Sequence, residues 1–518
     1  MEVGLTQYPA DTVPMLLAKG ADAGLAIGAP KAGDHVREAL THAGLRALAG
    51  RTVDELNRFG IGRNDRVAMV LPNGPEMAAG FLAIASGATT APLNPSYKAE
   101  EFDFYLSDLN ARALVIQQGM DSPARAVAVQ KNIPIIELIP EGHAGNFMLV
   151  PGSALSSPTQ HPGQAQPDDI ALVLHTSGTT SRPKIVPLSH RNITASAYHI
   201  GEALRLTPDD VCLNIMPLFH IHGLIAATLS SIAAGGAVYC TPGFNAFRFF
   251  SQFDEVRPTW YTAVPTMHQA IEGLAARNRE LIARGRLRFI RSSSASLPPQ
   301  VMDAVEKVFG VPVIESYGMT EAAHQMASNP LPPRPHFAGS VGIAAGPDIA
   351  VMDDAGNILS QGELGEIVIR GRNVTAGYEN NPAANATAFI HGWFRTGDQG
   401  TLDADGYLRL TGRLKEIINR GGEKISPIEV DTILMDHPSV EQALTFAMPH
   451  DKLGEEVACA IVLREGLLAT DHELREFAGI RLAAFKVPRK IVFLAEIPKG
   501  ATGKLMRIGL AEKLGLTS

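Results

Sequence analysis

The densest chemistry in the chain lies in Thr176-Ser177-Gly178-Thr179-Thr180-Ser181-Arg182-Pro183-Lys184. Hydroxyl side chains stand beside their own backbone N–H groups, Gly178 lets the chain turn tightly, and Lys184 closes the run. Oriented amides and hydroxyls form a concavity for an anion, and the lysine adds a point charge suited to a polyphosphate. The run is not the Walker pattern, which requires a glycine immediately before its lysine. Downstream, Tyr317-Gly318-Met319-Thr320-Glu321 brings together a ring able to stack on a purine, the Thr320 hydroxyl and the Glu321 carboxylate. That carboxylate is a hard oxygen ligand of the kind that holds Mg²⁺ on phosphates. Lys504 stands in a Gly-Lys pair within a C-terminal loop of small residues. Such a loop can deliver an ammonium into an occupied cleft and offset negative charge as it develops. Asp398 occupies a tight Thr-Gly-Asp turn. Taken singly, each feature has a bland reading as a surface turn, a solvated helix-start glutamate, an exposed lysine or a turn aspartate.

The elements around these segments define how they are held. Arg66–Leu71, Ala113–Ile116, Ile170–Leu174, Val311–Glu315 and Gly365–Ile369 read as short apolar strands, spaced by helical stretches such as Pro75–Ser86. Strands of this kind imply parallel sheets covered on both faces, hence an α/β fold. The Ser/Thr-rich run directly follows one strand and Tyr317-Gly318 follows another, at the carboxyl ends where such sheets bind ligands. Val211 to Phe247 carries no Asp, Glu, Lys or Arg, but Asn214, Pro217, His220, His222, Gly223 and the Gly235-Gly236 pair interrupt it. It reads as buried helix and strand, since a membrane span needs about 20 consecutive apolar residues. Pro151 to Pro167, rich in Pro, Ser and Gln, reads as a surface linker. Near residue 413 a basic, polar segment begins, and Ser426-Pro427-Ile428-Glu429 then opens a helix with a capping serine, a first-turn proline and a glutamate three residues on. The expected architecture is therefore a large N-terminal body of layered sheets and helices, residues 1–412. A small mobile α+β lid domain follows, residues 413–518.

Composition narrows the class. Acidic residues outnumber basic ones, 53 to 45, for a formal charge of −8. A nucleic-acid binder advertises a basic domain instead. Hydrophobic content of 45% with 19% charged residues belongs to a folded chain. The cysteines, Cys212, Cys240 and Cys459, are an odd, scattered set without a CxxC pair, which speaks against a disulfide scaffold or a zinc site. The N-terminus lacks a basic patch followed by an apolar core, and the final Leu516-Thr517-Ser518 is not the peroxisomal Ser-Lys-Leu. A cytoplasmic monomer or homodimer without a membrane span is expected.

With Thr396-Gly397-Asp398, Gly412-Arg413-Leu414-Lys415-Glu416 and Pro498 to Lys504, these segments resemble, in order, the signature motifs of the adenylate-forming superfamily. That family contains acyl-CoA synthetases, aryl-CoA ligases, luciferases and peptide-synthetase adenylation domains. The resemblance implies that Thr176, Ser177, Gly178, Thr179, Thr180 and Lys184 hold the ATP phosphates. Tyr317 and Gly318 would flank the base, and Asp398 and Arg413 would take the ribose and phosphate. Glu321 is implied as the Mg²⁺ ligand with Thr320 beside it, Lys504 as the principal catalytic side chain, and Lys415 as the hinge. Gly421 and Gly422 match the place where CoA ligases close the pantetheine tunnel. ATP and CoA are the implied co-substrates of a small carboxylic acid.

The acid pocket is expected between Pro217–Gly223, Arg291–Ser296 and Ala322-Ala323-His324. A fatty or aryl acid would require mostly apolar walls. Here His220, Ser294, His324 and Ser296, with Lys504, suit a small acid that has a second polar end. No arginine is assigned to the pocket floor, which disfavours malonate. Thr176 to Lys184 and Glu321 to Pro330 resemble the oxalate–CoA ligase branch most. Ser181, Ile185, Ser292–Ser296 and Gly318 depart from patterns elsewhere in the family. Oxalate is the expected acid; malonate, a small monocarboxylate, or an aryl or fatty acid are alternatives. An amino-acid adenylating enzyme would need an aspartate near residue 217, where Phe219-His220 stands. A silent scaffold would have lost Lys504, Glu321 or Lys184, and all are present.

Overall fold

A computed structural model describes residues 8–31, 33, 36–152, 158–176, 183–500 and 502–516. Two sheets form the heart of the body. The first has the strand order Phe147–Pro151, Ile135–Pro140, Ala113–Gln117, Arg66–Val70, Thr89–Pro92, Ile170–Thr176 and Lys184–Ser189. Its inner strands run parallel and its two edge strands are antiparallel. The second sheet holds the segments expected to line the acid pocket. From one edge it runs Ile343–Ala344, His324–Ser328, Val313–Met319, Phe289–Ser292, Trp260–Ala263, Val211–Asn214, Ala237–Cys240, Leu25–Gly28 and Leu40–Thr41. From Val313–Met319 across to Leu25–Gly28 its strands are again parallel, and the polar residues buried in them are Asn214, Thr262, Arg291, Ser292, Glu315 and Ser316. The mixed α/β class with a large N-terminal body and a C-terminal domain is as the sequence implies.

Three readings need correction. Thr396-Gly397-Asp398 is not a tight turn: it lies within the strand Trp393–Leu402, at a bulge opposite Ile367 where Gly397 takes φ 73°. Gly365–Arg370 does not join a parallel sheet. It pairs antiparallel with Asp348–Met352 and Trp393–Leu402 in a third sheet, which Leu408–Arg413 completes. An apolar run of this length looks alike in either setting, and only its partners reveal its direction. The strand expected over Val311–Glu315 runs instead from Val313 to Met319, so Tyr317 and Gly318 lie within it. It pairs parallel with Phe289–Ser292 and antiparallel with His324–Ser328, with a bulge at Tyr317/Gly318.

Beyond Arg413 the chain builds a separate sheet from Ile418–Arg420, Glu423–Ile425, Val440–His450, Gly454–Leu463 and Lys490–Phe493. The helix Pro427–Met435 packs on it, capped by Ser426, whose Oγ accepts from the Glu429 N–H at 3.2 Å. One hydrophobic cluster crosses from the body into this unit, joining Phe249, Ile271 and Met302 with Ile425, Val430 and Val457. Polar contacts pin the same face. Gln300 Nε2 donates to the Thr432 carbonyl at 3.1 Å, Gln442 Nε2 donates to Gln269 Oε1 at 3.3 Å, and Thr266 Oγ1 donates to the Gly503 carbonyl at 2.8 Å. Among the described residues no helix is long and apolar enough to cross a membrane.

Candidate active site

Lys504 occupies the seam between body and C-terminal unit. The Thr266 bond to Gly503 holds the residue immediately before it. Burial and the neighbouring Arg413 lower its ammonium to about 8, while Asp398 pulls the other way. Its charge in turn depresses His220, His222 and His324. One ammonium thus stands between two clusters that the sequence separates widely.

On one side lies the Asp398 cluster. Tyr317 Oη donates to Asp398 Oδ2 at 2.5 Å, and Arg413 Nε lies 3.3 Å from Asp398 Oδ1. Burial raises the Asp398 carboxyl, with Arg413 and the Tyr317 hydroxyl opposing it. Glu321 is buried next to this group, in a short turn of helix that follows the strand. Tyr378 Oη donates to Glu321 Oε1 at 2.8 Å, and Lys184 Nζ lies 4.3 Å above the Tyr378 ring. Burial raises Glu321, against the pull of Tyr378, Arg413 and Lys184. No sequence motif singled out Tyr378, yet it joins a lysine and a carboxylate of the expected nucleotide site. The described residues contain no group of three His, Cys, Asp or Glu able to grip a metal by themselves. Glu321 alone fits Mg²⁺, which keeps its waters and takes one or two carboxylates plus substrate phosphates. Thr176 ends its strand and Thr320 begins the helical turn. Ser177, Gly178, Thr179 and Thr180 lie outside the described residues.

On the other side is a cluster of histidines. A π-helix, His222–Leu229, starts at His222 and is wider than an α-helix, a form that recurs at functional sites. Gly223 permits it, because a Cβ there would stand 2.3 Å from the Pro217 carbonyl oxygen. The His222 ring bonds Thr262 Oγ1 through Nε2 at 2.6 Å and Ser294 Oγ through Nδ1 at 3.0 Å. Its backbone N–H donates to His220 Nδ1 at 3.2 Å, which leaves the His220 proton on Nε2. The His324 ring centroid is 5.1 Å from that of His222. Burial holds all three rings neutral, His220 at about 3 and the other two well below the usual imidazole range. Ser294 and His324 both adopt left-handed backbone, φ 75° and 100°. Such conformations cost of order 1–3 kcal/mol in non-glycine residues and gather at functional sites. Gly318 makes room for the second, since a Cβ on it would lie 1.8 Å from the His324 carbonyl oxygen.

Ser296 is exposed, and no hydrogen bond among the described residues ties it to this cluster. Arg291, at the head of a segment expected to line the pocket but given no role there, is fully buried with Nη2 3.5 Å from His324 Nδ1. Its signal in the sequence was a charge inside an otherwise apolar strand. His222 was legible only as a neighbour of His220. Lys415 is exposed in a turn closed by the Glu416 and Ile417 N–H groups on the Arg413 carbonyl. Gly421 and Gly422 form the exposed turn between Ile418–Arg420 and Glu423–Ile425, at φ 60° and 102°.

A carboxylate-and-arginine cluster and a neutral, donor-rich cluster, with one ammonium between them, suit joining an acid to a nucleotide. The sequence matches the AMP-binding enzyme family over residues 27–379 and its C-terminal domain over residues 429–504. The chain belongs to the AMP-binding enzyme family. It is 46% identical to the oxalate–CoA ligase of Arabidopsis thaliana, over 90% of this chain and 92% of that one. To the oxalate–CoA ligase of Saccharomyces cerevisiae it is 42% identical, over 88% of each. Its fold superposes on ATP-bound MatB from Rhodopseudomonas palustris with a TM-score of 0.86 and 28% identity, covering 97% of this chain and 98% of that one. The enzyme class read from the motifs, an AMP-forming acid–CoA ligase, agrees with these relatives.

Proposed function

We propose that this AMP-binding enzyme is an ATP-dependent oxalate–CoA ligase, converting oxalate, ATP and CoA into oxalyl-CoA, AMP and pyrophosphate. One observation carries the reading: Lys504 lies between the Asp398–Arg413 pair and the His220–His222–His324 cluster. In that position its ammonium offsets the charge that develops as a carboxylate attacks the α-phosphorus and pyrophosphate departs. Preorganised charge of this kind in a water-poor site is the main catalytic device of such reactions. Asp398, tied to Tyr317 and Arg413, accepts from the ribose hydroxyls. Lys184 and the Thr176–Thr180 segment take the phosphates, and Thr320 lies beside them. Glu321 would hold Mg²⁺, which neutralises phosphate charge when bound. The acid sits against His220, Ser294 and His324, whose neutral rings and hydroxyl donate without competing charge. Its attacking carboxylate faces Lys504.

The second half follows from the same parts. Once the adenylate exists, the C-terminal domain, residues 413–518, turns about Lys415 and withdraws Lys504. Gly421 and Gly422 then come to the acid side, where their missing side chains let pantetheine pass and the CoA thiol takes the acyl group. Three buried, unpaired thiols suit the reducing cytoplasm.

The test is pyrophosphate release with Mg·ATP and CoA across oxalate, malonate, acetate, a medium-chain fatty acid and 4-coumarate. Oxalate should be turned over best. A preference for the fatty or aryl acid would mean that the histidine cluster does not face substrate, and would overturn the oxalate assignment.

A further inference from the structure

Arg291 lies in the interior of the strand Phe289–Ser292, paired with Thr262 and Ile314 of the flanking strands. Its side chain is on the face where Thr262 meets His222, and it is 0% exposed. Nη2 is 3.5 Å from His324 Nδ1 and 3.2 Å from Gln325 Oε1. Gln325 is itself oriented by its Nε2 bond to the Ala345 carbonyl at 3.2 Å. Nε and Nη1 are buried with no partner. Among the described residues no carboxylate forms an ion pair with this guanidinium. Glu315 is near in sequence register, but it pairs with Ser292 and so projects from the opposite face, where it bonds the Leu297 N–H. Other buried or half-buried arginines here are neutralised, Arg507 by Asp431 and Glu416, and Arg288 by Asp210.

A structural arginine in a core is paired, because an uncompensated buried charge costs several kcal/mol. This one is left with spare donors behind an acid-site ring. Resting on the oxalate reading above, we propose that Arg291 is the positioning residue that selects an acid with two carboxylates. It acts through His324 and serves as the internal counter-charge for the carboxylate that is not activated. Its N–H on Nδ1 keeps the His324 proton on Nε2, the opposite edge of the ring, where it can donate to an acid. Its positive charge keeps the same ring neutral and so prevents a proton from replacing the substrate as the compensating interaction. Burial brings the guanidinium down to about 9, which leaves it protonated at neutral pH. A monoanionic acid, after adenylation, carries no charge at its far end and leaves Arg291 uncompensated; a dianionic acid keeps one.

The experiment compares oxalate with oxamate, the same size and shape with an amide in place of one carboxylate. In the wild-type enzyme, the KM for oxalate and the inhibition constant for oxamate are measured at fixed Mg·ATP and CoA, then repeated in Arg291→Met. A hydrogen-bonded charge is worth about 1.5–3 kcal/mol, so the oxalate KM should rise about 10- to 100-fold. Oxamate inhibition and the KM for ATP should be unchanged. The melting temperature should hold or rise, because an unpaired buried charge has been replaced by a packed apolar chain. Equal weakening of oxalate and oxamate, or no change in either, would overturn the proposal. Should Arg291→Met fail to fold, Arg291→Lys decides. It retains the charge and must still discriminate oxalate from oxamate, and loss of that discrimination overturns the idea. A wild-type enzyme that binds oxalate no better than oxamate would sink the oxalate reading itself, whereas intact wild-type preference with an indifferent variant sinks only Arg291.

Discussion

Tyr378 holds two groups of the proposed nucleotide site at once, its hydroxyl on Glu321 and its ring under Lys184. Tyr378→Phe keeps the ring for the ammonium but removes the hydrogen bond to a carboxylate, a contact worth about 1.5–3 kcal/mol when one partner is charged. The KM for Mg·ATP should rise about tenfold or more, with the KM for the acid unchanged. Steady-state kinetics with each substrate varied in turn measures both. An equal rise for both substrates would mean that the tyrosine supports the fold rather than Glu321. On the proposed acid side, neutral histidines would act as fixed donors. His222 orients Ser294 while His220 and His324 each keep a proton on Nε2, so an anion finds hydrogen bonds without a rival counter-ion.

At the scale of elements, the helix Pro265–Ala275 links chemistry to the C-terminal unit. Thr266, on its first turn, bonds Gly503, and Gln269, one turn on, bonds Gln442. The Lys504 loop is therefore positioned by the body and not by its own domain alone. Thr266→Val removes one neutral hydrogen bond, about 1 kcal/mol, and should slow adenylation about fivefold. Thioester formation from a supplied acyl-adenylate should be unaffected, since that step does not use this docking. Single-turnover assays of the two halves distinguish the effects; equal slowing of both would point to a folding defect. The π-helix that begins at His222 is a second such device, set by Gly223 where the backbone passes Pro217.

For the whole molecule, the proposed mechanism turns on an ammonium placed where the two units meet. Lys504 sits at about 8 in this arrangement, pushed down by burial and Arg413. A catalytic ammonium with a lowered pKa acts below that value and is lost as pH rises through it. The kcat/KM for adenylation should therefore fall above about pH 8, because this quantity reports groups of the free enzyme. In kcat the same limb should move to higher pH, because the bound phosphate and carboxylate favour the protonated form. Lys504→Ala should abolish the limb and cut adenylation by more than about 100-fold, yet spare thioester formation from a supplied adenylate. An unchanged alkaline limb in that variant would assign the titration elsewhere.

The nucleotide side was the more legible half, because its residues sit in short contiguous runs of the chain. Thr396-Gly397-Asp398 and Tyr317 to Glu321 carry their meaning locally, and the order of such runs along one chain identifies the family. The α/β class was legible for the same reason, from apolar strands alternating with helices. The pairing partners of Gly365–Arg370 were not, because direction belongs to a sheet and not to a strand. The acid side depended on tertiary structure. Arg291 and His324 are 33 residues apart, and His222 and Ser294 are 72 apart. A strand buried on both faces shows no alternation to say which side chain turns toward a neighbour, so Arg291 could be read as charged but not as facing His324. Ser294 and Ser296 look equivalent in sequence, and the left-handed turn at Ser294 alone brings one to His222 and leaves the other exposed. Sequence by itself determined which chemistry the chain can perform on ATP. The register of parallel strands, together with a helix widened at His222, decided which charges and donors gather where the acid is proposed to bind.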